Sequence, residues 1–144
     1  MNFSDDELVT HLLQEIAENK IKTKEELNQE IKVNLYRIYK DYLKFEKNQD
    51  NFRETYAKLE NTYKYVELEE IEEGRFIRYI SPKYFFDIEL KRGGFVAEID
   101  LEKRKLKVLN GNKVFYLKCS DNYSFFMKLN DEDKVKQRIL ESLD

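Results

Sequence analysis

From Ile31 onward, hydrophobic side chains recur at alternating steps of four and three residues: Ile31, Leu35, Ile38, Tyr42, Phe45, Gln49, Phe52, Tyr56, Leu59, Tyr63 and Val66. Ten of these eleven positions are apolar or aromatic. At 41% hydrophobic content that has roughly a one in a thousand chance per frame. The pattern predicts a long helix from Lys24 to Glu69, about 69 Å at 1.5 Å per residue, with a heptad seam that must be buried. Ile31, Leu35, Ile38, Tyr42, Phe45, Phe52, Tyr56, Leu59, Tyr63 and Val66 are therefore assigned to an oligomer seam, most simply that of a homodimer. Thr23 and Glu26 form a capping box at the start of this helix. A second stripe, Tyr36, Tyr39 and Leu43, exists only in its first half, where a second partner is expected. Tyrosine at the a positions fits a parallel dimer poorly. The competing expectation is a turn at Asn48-Gln49-Asp50-Asn51, four poor helix formers in a row, giving an antiparallel hairpin. The unbroken heptad phase favours the continuous helix.

Ahead of it, Ser4 and Glu7 make another capping box, and Leu8, Leu12, Leu13 and Ile16 share one face of a first helix. Beyond the acidic stretch 67–73, Gly74 changes the period from helical to two. Six strands are expected: 75–80, 84–90, 95–101, 105–109, 113–119 and 123–129. Gly93-Gly94 and Asn110-Gly111 read as turns between them, and the short links require antiparallel neighbours. Asn130 caps a last helix bearing Val135, Ile139 and Leu143 on one face. The expected fold is α+β. A helical, coiled-coil-like arm spans 1–73. A six-stranded antiparallel meander or small barrel with a C-terminal capping helix spans 74–144.

Aromatic residues make up 14% of the 144, which argues against disorder. No run is apolar enough for a membrane span, and the acidic opening Met1-Asn2-Phe3-Ser4-Asp5-Asp6 is unlike a secretory signal. Cys119 has no cysteine to pair with. An intracellular, reducing setting is expected. Net charge is −7 over residues 1–73, +6 over 74–130 and −2 over 131–144. Two surfaces of different character follow.

Catalytic chemistry is not expected. His11 is the only histidine, and one histidine with one remote cysteine does not supply a metal site. No glycine-rich phosphate loop occurs, and no cofactor is expected. The strongest functional signal is the basic, aromatic sheet: Arg75, Arg78, Lys91, Arg92, Lys103, Arg104, Lys105, Lys107, Lys113 and Lys118, among Tyr79, Tyr84, Phe95, Tyr116, Tyr123 and Phe125. Cations for phosphates and rings for bases are the materials of nucleic-acid binding. Alternation alone also places lysines outside a small sheet and aromatics inside it.

The runs Gly74-Arg75-Phe76-Ile77-Arg78-Tyr79, Leu90-Lys91-Arg92-Gly93-Gly94-Phe95, Lys105-Leu106-Lys107-Val108-Leu109 and Tyr123-Ser124-Phe125-Phe126 resemble small β-domains in uncharacterised proteins of large DNA viruses. The aromatic of the penultimate strand, often tryptophan there, is here Phe115 or Tyr116. The resemblance covers residues 74–129 and implies a virion or assembly component, located in the cytoplasm or nucleus of a host cell or in the virion. The leading expectation is thus a non-catalytic assembly protein that oligomerises through its long helix and binds a protein partner. The alternative is a nucleic-acid-binding module.

Overall fold

The computed structural model describes residues 21–81 and 88–143, together with Glu7, Thr10, His11 and Gln14. Most of the expected first helix lies outside these residues; the four isolated positions are helical and exposed.

The long helix is two helices. α1 spans Lys24–Tyr39 and α2 spans Glu46–Leu59. The Thr23–Glu26 capping box opens α1 as expected. The chain breaks at 40–45, ahead of the 48–51 tetrapeptide, which lies inside α2. Asn48 and Gln49 nonetheless make the turn. The Asn48 side-chain amide donates to the Tyr42 carbonyl at 3.0 Å, and that of Gln49 to the Leu43 carbonyl at 2.6 Å. Carbonyls that a continuing helix would have bonded are satisfied from the next helix instead. The two helices run antiparallel: Asn28 near the start of α1 exchanges hydrogen bonds with Asn61 just past α2. At the other end the Tyr39 hydroxyl donates to Asn51 at 2.6 Å, and its ring meets Phe52 edge-on at 5.5 Å.

Asn61 takes the left-handed conformation, φ 64°, and stops α2. The heptad then continues only by coincidence, because Tyr63–Val66 is strand β1. The rest of the sheet is β2 (Phe76–Ile80), β3 (Leu90–Asp100), β4 (Lys105–Asn110), β5 (Lys113–Lys118) and β6 (Ser124–Lys128). The strand order is β1-β6-β2-β3-β4-β5, antiparallel throughout. The α+β composition is present, but the expected architecture within it is overturned. Among the described residues there is no long coiled-coil helix. The sheet is not a meander, because β6 inserts between β1 and β2. Nor is it a closed barrel, because β1 and β5 are edges. Gly93-Gly94 is no turn but the interior of the eleven-residue β3. Of the expected strand 84–90, the stretch 82–87 lies outside the described residues, Ile88 and Glu89 are not strand, and Leu90 opens β3.

The sheet is coiled. Ser124 is level with Ile80 and so with Leu90 at one end of β3; Lys118 is level with Lys105 and so with Asp100 at the other end. On a flat sheet β5 and β6 would be separated by about 33 Å along the strands and about 19 Å across them. The five linking residues include a turn, Tyr123 N–H to the Ser120 oxygen at 3.1 Å, and reach at most about 20 Å. Twist of roughly 20–25° per strand, accumulated over four spacings, resolves this by bringing β5 across the inner face.

Two hydrophobic clusters follow. The inner one holds Ile77, Val96, Leu106, Val108, Leu117, Phe125 and Met127, closed by Leu68 of the short 3₁₀ segment after β1 and by Ile71 just past it. The outer one packs Ile31, Leu35, Tyr39 and Leu59 of the helices on Tyr63, Ile80, Leu90 and Phe126. The helices thus cover the outer face over β1, β6 and β2. The division expected at 73/74 runs through this sheet, since β1 lies on the arm side of it. α3 (Asp131–Ser142) starts on the Asn130–Asp133 capping box and fully buries none of its side chains, so it does not cap the sheet. No described helix is long and apolar enough to cross a membrane.

Candidate interaction surface

The residues assigned to the seam are placed within one molecule. Ile31, Leu35, Leu59 and Tyr63 are buried in the outer cluster, with Ile38, Tyr42, Phe52 and Tyr56 packed against it. Val66 belongs to the inner cluster. Only Phe45, at the interhelical turn, is left exposed. The physical reason is the break at 40–45: it folds the stripe back on itself, and the sheet then buries it.

The basic residues divide into three groups. Arg75 is structural: its guanidinium donates to Asp133 at 2.8 Å and to the Lys128 carbonyl at 2.9 Å. Lys64 joins Asp133 at 3.1 Å. Burial would raise the Asp133 carboxyl, but the Asn130 backbone N–H, Lys64 and Arg75 outweigh it and hold the group below its ordinary value. Arg78 is half-buried and donates to the Lys91 carbonyl, while Lys91 pairs with Glu89. Arg92 is exposed on β3. Lys103 and Arg104 lie on the β3–β4 turn as expected; Arg104 reaches Asp121 at 3.4 Å and the Cys119 carbonyl. Lys105, Lys107 and Lys118 alone share the outer face of β4 and β5, and Lys113 sits at the start of β5.

That face is the most distinctive surface of the chain. Among the described residues the helices reach no further than the Leu90 end of β3, leaving the outer side uncovered from Phe95 of β3 across β4 and β5. Strand register aligns three rows across it: Phe95–Leu109–Val114, Glu98–Lys107–Tyr116 and Asp100–Lys105–Lys118. The first row is apolar and open to solvent, with Phe95 54%, Leu109 36% and Val114 54% exposed; Tyr116 in the next row is 57% exposed. Phe76 extends the row at its covered end, edge-on to Phe95 at 5.1 Å. The Lys105 ammonium sits over the Tyr116 ring at 4.9 Å. A groove of about 550 Å³, lined by Glu98, Asp100, Lys103, Lys105, Lys107 and Tyr116, crosses the charged rows.

Phe95 and Tyr116 were visible in the sequence as aromatics of a basic sheet; Leu109 and Val114 were not singled out. Their alignment depends on an extra residue, Ala97, in β3 between the Val96–Val108 and Glu98–Lys107 pairs, which no sequence signal announces. Val114-Phe115-Tyr116-Leu117 is apolar throughout, so alternation could not say which pair faces out.

No cluster of three or more potential metal ligands occurs among the described residues. Cys119 is buried, and burial, opposed by Arg104, pushes its thiol up to about 11. It stays protonated at neutral pH and is a poor nucleophile. Comparison with family models, curated proteins and solved structures finds no match for the chain.

Proposed function

We propose that this chain is a non-catalytic docking module, a component of a protein assembly, and that it binds its partner through the outer face of β3, β4 and β5. The observation that carries the reading is the uncovered apolar row Phe95–Leu109–Val114 with Tyr116 beside it. Scattered exposed apolar residues need no explanation; a contiguous row with a charged border is the composition of a protein-binding patch. The assembly role implied by the viral resemblance agrees with it.

A second reading is nucleic-acid binding by the same face, favoured by the Lys105–Tyr116 contact and the nearby Lys107 and Lys118. Glu98 and Asp100 stand in the same rows and would repel phosphates, so we rank it second.

Photo-crosslinking separates the two. A benzophenone side chain replaces Tyr116, and the chain is irradiated in its native host. The expected product is a discrete adduct sensitive to protease, identified by mass spectrometry, and diminished by Phe95→Ser. An adduct removed by nuclease alone would establish the second reading. No adduct from a folded protein would remove both.

A further inference from the structure

β5 is an edge strand, and its turn specifies which backbone groups are open. Gly111-Asn112 is the two-residue loop between β4 and β5, so Asn110 and Lys113 form the closing pair. In such a hairpin the closing pair exchanges both backbone hydrogen bonds, and bonded pairs alternate from there. The bond from the Cys119 N–H to the Arg104 carbonyl, 2.8 Å, falls in that phase. The backbone groups of Lys113, Phe115 and Leu117 therefore point at β4, and those of Val114, Tyr116 and Lys118 point away from it. No described strand pairs with β5 on that side. Three residues thus offer one donor and one acceptor each along an open edge. Their side chains stand on the outer face, beside the apolar row.

The charges at this edge are of one sign. Lys113 and Lys118 bracket β5, which carries no acidic residue. Lys105 stands directly opposite Lys118, a like-charge pair that Asp100 offsets only from the far side of Lys105, leaving Lys118 at the edge with no carboxylate opposite it on β4. The acidic side chains of the face, Glu98 and Asp100, are on β3, two strands from the edge.

Resting on the docking reading, we infer that β5 captures its partner by strand addition, and that the occupant is an extended apolar segment of another protein flanked by acidic residues. Such a segment bonds to the free groups of Val114, Tyr116 and Lys118. Its apolar side chains continue the exposed row, and its flanking carboxylates meet Lys113 on one face and Lys118 with Lys105 on the other. A second copy of this chain is the poorer occupant. Pairing β5 with β5 brings four lysines to the seam and no carboxylate to neutralise them.

The test uses the full chain and two fluorescent hexapeptides: a Glu-Thr-Val-Thr-Val-Glu probe, whose two ends fall on opposite faces of an added antiparallel strand as Lys113 and Lys118 do, and the same peptide with lysine at both ends. Anisotropy is expected to show the glutamate-flanked probe binding roughly tenfold more tightly, from two cross-strand charge pairs reversed in sign. The double change Lys113→Glu and Lys118→Glu should reverse the preference; both sites are exposed and outside the core, so the fold is kept. Val114→Pro should abolish binding of either peptide, because it removes a free edge N–H and no β4 bond. Equal binding of both peptides, or a preference that the charge swap does not reverse, overturns the inference. So does a doubling of mass with concentration that Val114→Pro abolishes while no peptide binds, which assigns the edge to a second copy. Loss of peptide selectivity alongside a protein adduct at position 116 would leave the docking reading standing and remove only strand addition.

Discussion

Gly93 and Gly94 mark where local chemistry and sequence pattern diverge. As neighbours between two hydrophobic runs they read as a turn, yet both lie within β3. There a bulge lets Arg78 face two residues between the Ile77–Gly94 and Tyr79–Lys91 pairs. Gly93 has φ +68°, and a Cβ on it would lie 1.8 Å from the Ile77 carbonyl oxygen; on Gly94 it would lie 2.3 Å from that of Leu109. Both glycines therefore permit backbone approach to a neighbouring strand. The sequence signal was real, because glycine was required, but the pattern cannot separate a chain reversal from a bulge. Gly93→Ala should cost about 2–3 kcal/mol, combining left-handed strain with displacement of β2. Urea unfolding measures it. A cost below about 0.5 kcal/mol, the range of an inert surface change, would show that the bulge is not tight.

Among elements, the helices show why periodicity can be right about burial and wrong about length. Nine of the ten apolar stripe positions are buried or half-buried, as a stripe should be. The break at 40–45 contains no glycine or proline, so no breaker marks it. Its stabilising amides belong to Asn48 and Gln49, a turn further on. α3 is better matched to its sequence, since the Asn130 cap is what the pattern indicates. What the sequence hides is that Asp133, an ordinary third residue of a capping box, is also the anchor for Lys64 of β1 and for Arg75 just ahead of β2. The depressed carboxyl pKa makes this anchor pH-dependent. A carboxylate held lower in the folded chain than in the unfolded one contributes stability above its unfolded pKa, about 3.9. That contribution is lost as pH falls through the folded value. Asp133→Asn keeps an oxygen for the Asn130 N–H but removes the charge. It should cost about 1–2 kcal/mol at pH 7, and the gap to the parent chain should close as pH falls through the folded value. A gap that stays constant with pH would mean the ion pairs contribute nothing.

At the scale of the molecule, the sequence gives strands β2, β4, β5 and β6 nearly to the residue, but not how the parts join. Short antiparallel links are local, and local chemistry defines them. The placement of β6 between β1 and β2 is a long-range pairing, and nothing in either strand names its neighbour. Because β1 looked helical, the sheet appeared complete without it, and residues 1–73 appeared to be a separable arm. The packing says otherwise. Phe126 on β6 is fully buried with Ile31, Leu35 and Leu59 of the helices and Ile80 of β2. Removing residues 1–73 would expose Phe126, Ile80 and Leu90, strip β6 of its outer neighbour, and take Leu68 and Ile71 off the inner cluster. Fully burying one such side chain is worth about 1.5–3 kcal/mol. Uncovering three, and losing the contacts of Leu68 and Ile71 to the inner cluster as well, is comparable to the 5–15 kcal/mol by which a domain is ordinarily stable. The fragment 74–144 should therefore show no cooperative thermal transition by circular dichroism, while the full chain melts in a single step. Adding the fragment 21–73 in trans should restore that transition. A sharp melt from 74–144 alone would mean that the coiled sheet carries its own core and that the helices are an appendage to it.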